Sequence, residues 1–496
     1  MRQHFGVGFA TAVLVGIAPA ALAQSPIQLL EQANRSREQG RWDEAIQLYR
    51  RVLVANDRLA AAHFGLGATL RQQGNLDGAI AAHRRAIALD ERFAPAHYGL
   101  GVALFQKGNA AGAVAAYERA IALSPPSPAL APTYYNLGLA EEARNNLPAA
   151  LRAFRQAIAL DRAYVPARLG VGAILRRQND LAGAEAAYQE ALRLNANHAE
   201  ARFGLGIVFY ETQRYPEAIA AYQEALKLNP NLPFVRYNLG LAQAAGNQPA
   251  AAIATYQAAL QETAPPTHQA ELWAALGDVH LQQQNLNAAA SNFQKSLELN
   301  PKSLRARNGL GLTRRRQGRL EEAIAIYREA LNLDARYLAA HNNLGRALAD
   351  ANRPEEAIAI FRQAIALDPE NPLAHSNLGN LLRAQGQTEA AIASLRQAIA
   401  LGRNELWVDR THLGLALTEL GSYREAREAL QQALNLRPNY GRAHFGLGSL
   451  YTLQGDTARA LTAYREALRL FQLENDTEWV NRTQQTLQAL TAATRS

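Results

Sequence analysis

A period of 34 residues runs through almost the whole chain, and it constrains the fold more tightly than any other feature. Thirteen units begin at residues 26, 60, 94, 131, 165, 199, 233, 270, 304, 338, 372, 407 and 441. Small insertions at 128–130, 267–269 and Leu406 complete the register through residue 474. The pattern is plainest in Trp273, Leu276, Gly277 and His280, followed by Ala289, Phe293 and Pro301. A Leu-Gly pair recurs from Leu66-Gly67 to Leu447-Gly448, with Val171-Gly172 as one substitute. Such a chain builds one small unit many times, because a single unit cannot bury its apolar face alone and must stack on its neighbours.

Each unit reads as two helices. The first ends at a Gly or Asn, as at Gly40, Gly74, Gly108, Asn179 and Gly318, the residue types that close a helix in left-handed geometry. The second carries Ala, an aromatic and Ala on one face, as in Ala218, Tyr222 and Ala225. Prolines such as Pro125, Pro230, Pro301, Pro369 and Pro438 then stop it. Twelve glycines inside first helices, Gly67 through Gly448, would each cost about 1 kcal/mol relative to Ala. Only close helix–helix contact offsets that. Ser124 to Pro128 and Ala264 to Thr267 accompany the longer insertions and divide the repeats into blocks 26–127, 131–266 and 270–474. Trp479, Val480, Leu487 and Leu490 predict a closing helix within 475–496.

These residues resemble the tetratricopeptide repeat family over residues 26–474. The first unit departs most, with Gln32-Ala33 in place of Leu-Gly, which suits an N-terminal cap. The resemblance implies an all-α fold, a right-handed α-solenoid of antiparallel helix pairs. Its first helices would line a concave groove that binds a protein or peptide, without catalysis or cofactor.

Composition narrows the chemistry. Hydrophobic residues make up 48% of the sequence, too many for a disordered chain. There is no Cys, so disulfides, thiolate metal sites and cysteine nucleophiles are excluded. The net charge of +8 permits acidic partners without demanding them. Groove positions carry both signs, with Arg71, Arg176, Arg177, Arg315, Arg316 and Arg383 against Glu142, Glu211, Asp278, Asp350 and Glu419. A nucleic-acid groove should be uniformly basic, so none is expected. The recurrent Gly-Leu-Gly, as in Gly204 to Gly206, lies in a helix and lacks the strand and third glycine of a dinucleotide loop. His63, His97, His341, His375 and His444 share one position of different repeats. Stacked helices place such residues roughly 10 Å apart, a row rather than a metal site. No catalytic constellation emerges.

The expected partner groove contains Phe64, Tyr98, Tyr135, Phe203 and Tyr237, at the fifth position of successive units. Later units place Ala274, Asn308, Asn342, Ser376 and Thr411 there, so the lining turns polar. The rings read equally as partner contacts or as packing between first helices. Asn136, Asn238, Asn343 and Asn377 match the asparagines lining the repeats of protein O-linked N-acetylglucosamine transferases. That likeness supplies an alternative: an accessory or targeting module for a glycosyltransferase, lacking the catalytic domain. The carboxylate clamp of chaperone-binding relatives is not matched, because its lysine positions hold Phe64, Tyr98, Tyr135 and Leu169.

Residues 1–23 read as a secretory signal. Arg2 supplies the positive start, Gly6 to Ala18 an uncharged apolar run, and Ala21-Leu22-Ala23 a cleavage site before Gln24. An uncleaved anchor would need roughly 20 apolar residues, more than this run provides. The expected protein is a periplasmic or extracellular scaffold, possessing no stable membrane insertion once cleaved. Intact mass of the exported protein should begin at Gln24; recovery of only the full-length chain in the cytosol would exclude export.

Overall fold

The structure, a computed structural model, describes residues 25–402 and 406–493. The signal segment, including Ala23 and Gln24, lies outside the described residues. Among those described there are 27 α-helices and no strand, an all-α solenoid of helix pairs. Repeat 2 is representative: Ala60–Gln72 pairs with Leu76–Leu89, and the repeat 3 helix Ala94–Gln106 follows. The chain forms two compact units divided between Ala242 and Gln243.

The interhelical turn is the same in every repeat. Its central residue is left-handed at all thirteen copies, from Gly40 (φ 72°) to Gly455 (φ 76°). Eleven of these residues are Gly or Asn in the way the sequence predicts for Gly74, Gly108, Asn179 and Gly318, but Gln213 (φ 59°) and Gln284 (φ 60°) adopt the same geometry. Glutamine bears the Cβ penalty of that region, so packing of the two helices imposes the turn there.

Packing is organised around one side chain per repeat. The alanine that opens the buried face of each second helix, Ala45 to Ala460, is fully buried at all thirteen positions. One turn further on comes a large side chain, Tyr49, His83, Tyr117, Phe154, Tyr188 and so on to Tyr464, also buried throughout. At His83, Phe154, Tyr188, Phe293 and Leu430 that side chain sits between a glycine of its own first helix and a glycine of the next. Tyr188 shows the arrangement: a Cβ built on Gly172 would lie 2.8 Å from its ring, and one on Gly204 would lie 2.5 Å away. Phe293, between Gly277 and Gly309, and Leu430, between Gly414 and Gly446, occupy the same slot. Close approach is therefore of glycine to ring, which is why the helix interior tolerates a residue of poor helix propensity. In repeat 8 the second small position is Ser296, whose buried hydroxyl donates to the Ala270 carbonyl at 2.7 Å and so costs nothing unsatisfied.

The insertions are absorbed locally. Residues 128–130 form a short 3₁₀ turn, Pro128–Leu130. Residues 267–269 lengthen the first helix of repeat 8, Pro266–Gln282, in which Pro266 holds the first helical position where its missing N–H is harmless. The helix Thr477–Ala493 packs on the last second helix, Thr457–Leu473, with Trp479 against Phe445 and Phe471 at centroid distances of 5.1 and 5.2 Å.

Gly204→Ala decides between propensity and packing. Helix propensity alone would stabilise the variant by about 1 kcal/mol. The blocked Tyr188 slot should instead destabilise it by roughly 1–3 kcal/mol, read as a lower denaturation midpoint; a raised midpoint would refute the ring-in-slot account.

Candidate functional site

Successive first helices touch one another along each unit, whereas second helices pack chiefly on first helices. The first helices therefore form the tighter, inner wall, and their outward-facing side chains line a groove. Within this wall the two charge signs found in the sequence are joined across repeats. Arg176 bonds Glu211 at 2.7 Å, Arg177 bonds Glu142 at 2.9 Å, Arg315 bonds Asp350 at 2.7 Å and Arg383 bonds Glu419 at 2.6 Å. In repeat 9, Arg305 holds Asp278 at 2.7 Å and Glu271 at 3.1 Å. Burial raises the Asp278 pKa, and the Arg305 charge opposes that rise.

The predicted aromatic residues are half-buried, and Phe64, Tyr98, Tyr135 and Phe203 each lean on the slot side chain of their own repeat. Phe64 meets His83 at 5.6 Å and Phe93 edge-on at 5.5 Å. Tyr98 meets Tyr117 at 6.0 Å, and Tyr135 meets Phe154 at 5.6 Å and Tyr164 at 5.8 Å. Phe203 meets Tyr222 at 5.8 Å. Tyr237 is likewise half-buried, on Val235–Ala245. These rings thus have one face in the core and retain some exposure to the groove.

The four asparagines occupy the place that glycine holds in most other repeats, above the slot side chain of the preceding unit. Asn136 donates to the Tyr98 hydroxyl at 3.0 Å, Asn343 to Asn308 at 2.8 Å, and Asn238 to its own helix at the Phe234 carbonyl, 2.9 Å. The Asn377 amide nitrogen is buried and has no such partner. Asn377 lines a pocket of about 430 Å³ between the first helices of repeats 9 to 12, with Arg315, Arg346, Asp350, Ser376 and Asn380.

The row of histidines has a structural task. Nε2 of His63, His97, His341, His375 and His444 lies 2.9–3.0 Å from the carbonyl oxygen six residues earlier, in the turn entering the repeat. Arg236 reaches the equivalent carbonyl of Pro230 at 2.7 Å. No group of three or more His, Cys, Asp or Glu suited to a metal occurs among the described residues. Nor is any described helix long and apolar enough to cross a membrane.

A fold of stacked two-helix units with a side-chain-lined inner wall defines a helical-repeat protein. Tetratricopeptide repeat profiles match residues 135–198, 174–233, 342–405 and 412–474, and further ones match 92–163, 268–336 and 303–370. Others cover 67–108, 28–60 and 234–262. The chain belongs to the tetratricopeptide repeat family, a family of protein-interaction modules. Among solved structures it is similar to the APC/C hetero-tetramer Cut9–Hcn1, at 17% identity over 93% of this chain and 96% of that one, with a TM-score of 0.46. It is also similar to YrrB, described as a TPR protein with an unusual peptide-binding site, at 20% identity over 38% and 96%, TM-score 0.33. The match to MamA is 24% identical over 33% and 95%, TM-score 0.31. None of the curated proteins compared matches the chain.

Reading the sequence for groove residues passed over His83, which stands where other repeats place Tyr, Phe or Leu. Its position in the repeat was the available signal. The ring is fully buried between Gly67 and Gly99, and neither nitrogen has a hydrogen-bond partner. Burial, aided by the Arg71 charge, pushes its pKa down to about 4. Burial acts oppositely on the slot tyrosines, raising Tyr188 to about 12 and keeping it neutral.

Because the folded form resists protonation, His83 supports stability above pH 6.5 and withdraws it as pH falls from about 6.5 to about 4. The loss over that window is on the order of 3 kcal/mol, from about 1.4 kcal/mol per pKa unit. Thermal unfolding at pH 7.5 and 4.5 should show a smaller acid-induced drop for His83→Phe than for the wild type. Equal drops would refute the assignment.

Proposed function

We infer that this chain is an exported, non-catalytic scaffold that holds an extended segment of a protein partner along its first-helix wall, and that it serves envelope assembly. The observation carrying the groove reading is that this wall leaves Phe64, Tyr98, Tyr135, Phe203 and Tyr237 half-exposed while the slot side chains behind them are sealed. Rings fixed on one face by the core present apolar area at little cost in side-chain entropy, the property that makes Tyr prominent in interface hot spots. Export rests on Arg2, the apolar run and Ala21-Leu22-Ala23. Incubation with sugar nucleotides and acceptor peptides tests the glycosyltransferase alternative; turnover would overturn the scaffold reading.

The groove itself is tested by selecting peptides from a random display library on the full chain, then measuring their affinity for Tyr98→Ala/Tyr135→Ala. Binding by peptides that occupy this half should weaken at least thirtyfold, about 2 kcal/mol. Each ring also packs on Tyr117 or Phe154, so affinity is read at a temperature where circular dichroism shows the variant fully helical. Undiminished affinity in the folded variant, or no peptide selected at all, would remove the groove as the binding surface.

A further inference from the structure

One repeat position on the outer face behaves differently along the chain. The residue directly after the slot side chain is arginine in repeats 1, 2, 4, 9, 10, 11 and 13. In repeats 9 and 11 it is neutralised by the third residue of the following second helix: Arg328 bonds Glu356 at 3.2 Å and Arg396 bonds Glu425 at 2.7 Å. After Arg50, Arg84 and Arg155 that same place holds Gly78, Gly112 and Gly183, which offer no carboxylate. All three arginines are exposed and make no ion pair or hydrogen bond among the described residues. Arg362, followed by Ala390, is likewise unpaired, but it stands between the neutralised Arg328 and Arg396. Repeat 4 carries Ala149 at the glycine's place under an Asn146 cap of the same kind, so the fold does not demand glycine there.

The second helices of repeats 1 to 4 are Trp42–Ala55, Leu76–Leu89, Ala110–Ala122 and Leu147–Leu160. They expose three further arginines without such partners, Arg51, Arg119 and Arg152. Arg85 is held only loosely by Asp57, 3.7 Å away. Asp43, Glu44 and Asp77 are bonded within the protein, to Gln73, Arg41 and Lys107. Glu118 is then the acid that interrupts the row. Between the arginines lie small exposed residues such as Ala81 and Ala115. The row lacks the buried aromatic anchors on which a protein interface centres. Val54, 90% exposed one turn beyond Arg50, is the large apolar side chain that stands clear of this surface.

We propose that this arginine row on the second helices of repeats 1 to 4 docks on an anionic lipid bilayer. A guanidinium presents paired donors that match two oxygens of one headgroup phosphate. A dense sheet of like charges needs no matching pocket, which suits cations carried on four separate helices with neither a groove nor an apolar anchor among them. Attraction extends over a Debye length of about 8 Å at physiological ionic strength, so arginines on successive helices add without each touching a headgroup. The contact is peripheral and leaves the first-helix wall, on the inner side of each repeat, open. It therefore stands or falls separately from the peptide groove.

The test is sedimentation of the full chain with phosphatidylcholine vesicles, with and without phosphatidylglycerol. The chain should sediment with the anionic vesicles, stay in solution with the neutral ones, and be released by added salt. Arg50→Gln/Arg84→Gln/Arg155→Gln should weaken partitioning at least tenfold, whereas Arg328→Gln/Arg396→Gln, which removes arginines already neutralised, should leave it unchanged. Gly112→Glu supplies Arg84 with the carboxylate that Glu356 gives Arg328, and should lower partitioning about fivefold, the effect of one surface charge, without touching any arginine. Each variant is compared at equal helicity by circular dichroism, so a loss of binding is not a loss of fold. Binding indifferent to phosphatidylglycerol, an equal loss in the two arginine variants, or undiminished binding in the triple variant or in Gly112→Glu would overturn the proposal. Soluble polyglutamate that displaces the chain from vesicles at an equal concentration of charge would assign the row to an acidic polypeptide instead and likewise overturn it.

Discussion

One contact repeats along the chain and everything else is arranged around it: a large side chain of the second helix wedged between successive first helices, flanked by two glycines at His83, Phe154, Tyr188, Phe293 and Leu430. It joins the helices of one repeat and, through the second glycine, joins that repeat to the next. Tyr188 between Gly172 and Gly204 does both at once. Nearest-neighbour coupling in a solenoid thus has a specific origin here, a ring shared by two interfaces. The same contact explains why a helix interior poor in intrinsic propensity is stable, since glycine's cost of about 1 kcal/mol is offset by the packing it permits.

Departures from that contact mark where the chain does something besides stack. His83 keeps the shape of the slot but introduces a group that acid can charge. At Asn136, Asn238, Asn343 and Asn377 the glycine above the slot is replaced by an amide facing the inner wall, and three of these amides are bonded within the protein. The fourth is not. Small changes in one repeated position therefore alter what the inner wall presents while the alanine face behind it, from Ala45 to Ala460, stays fully buried.

The wall charges illustrate why composition said little about partners. Mixed signs along the groove are consistent with a solvated face, an acidic ligand or a basic one. Pairing between Arg176 and Glu211, or Arg383 and Glu419, cancels most of that charge within the protein, about 35 residues apart in sequence but one repeat apart in space. Which charges remain unpaired depends on what the neighbouring repeats have already bonded.

The sequence by itself determined the repeat register, the two helices of each unit, the alanine and ring positions and the family, because each is written in a period that local physics reads directly. It also marked Phe64, Tyr98 and Tyr135 as inner-wall residues, but left open whether their rings were contacts or packing. The left-handed turns at Gln213 and Gln284 were not legible, since glutamine gives no turn signal and only the docking of two helices imposes that geometry. Nor could sequence separate Asn377 from Asn343, which share a repeat position. Only the tertiary structure decided which amide is satisfied and which arginine is neutralised, because hydrogen bonding and ion pairing between repeats depend on the distance between atoms that the chain brings together after about one full period.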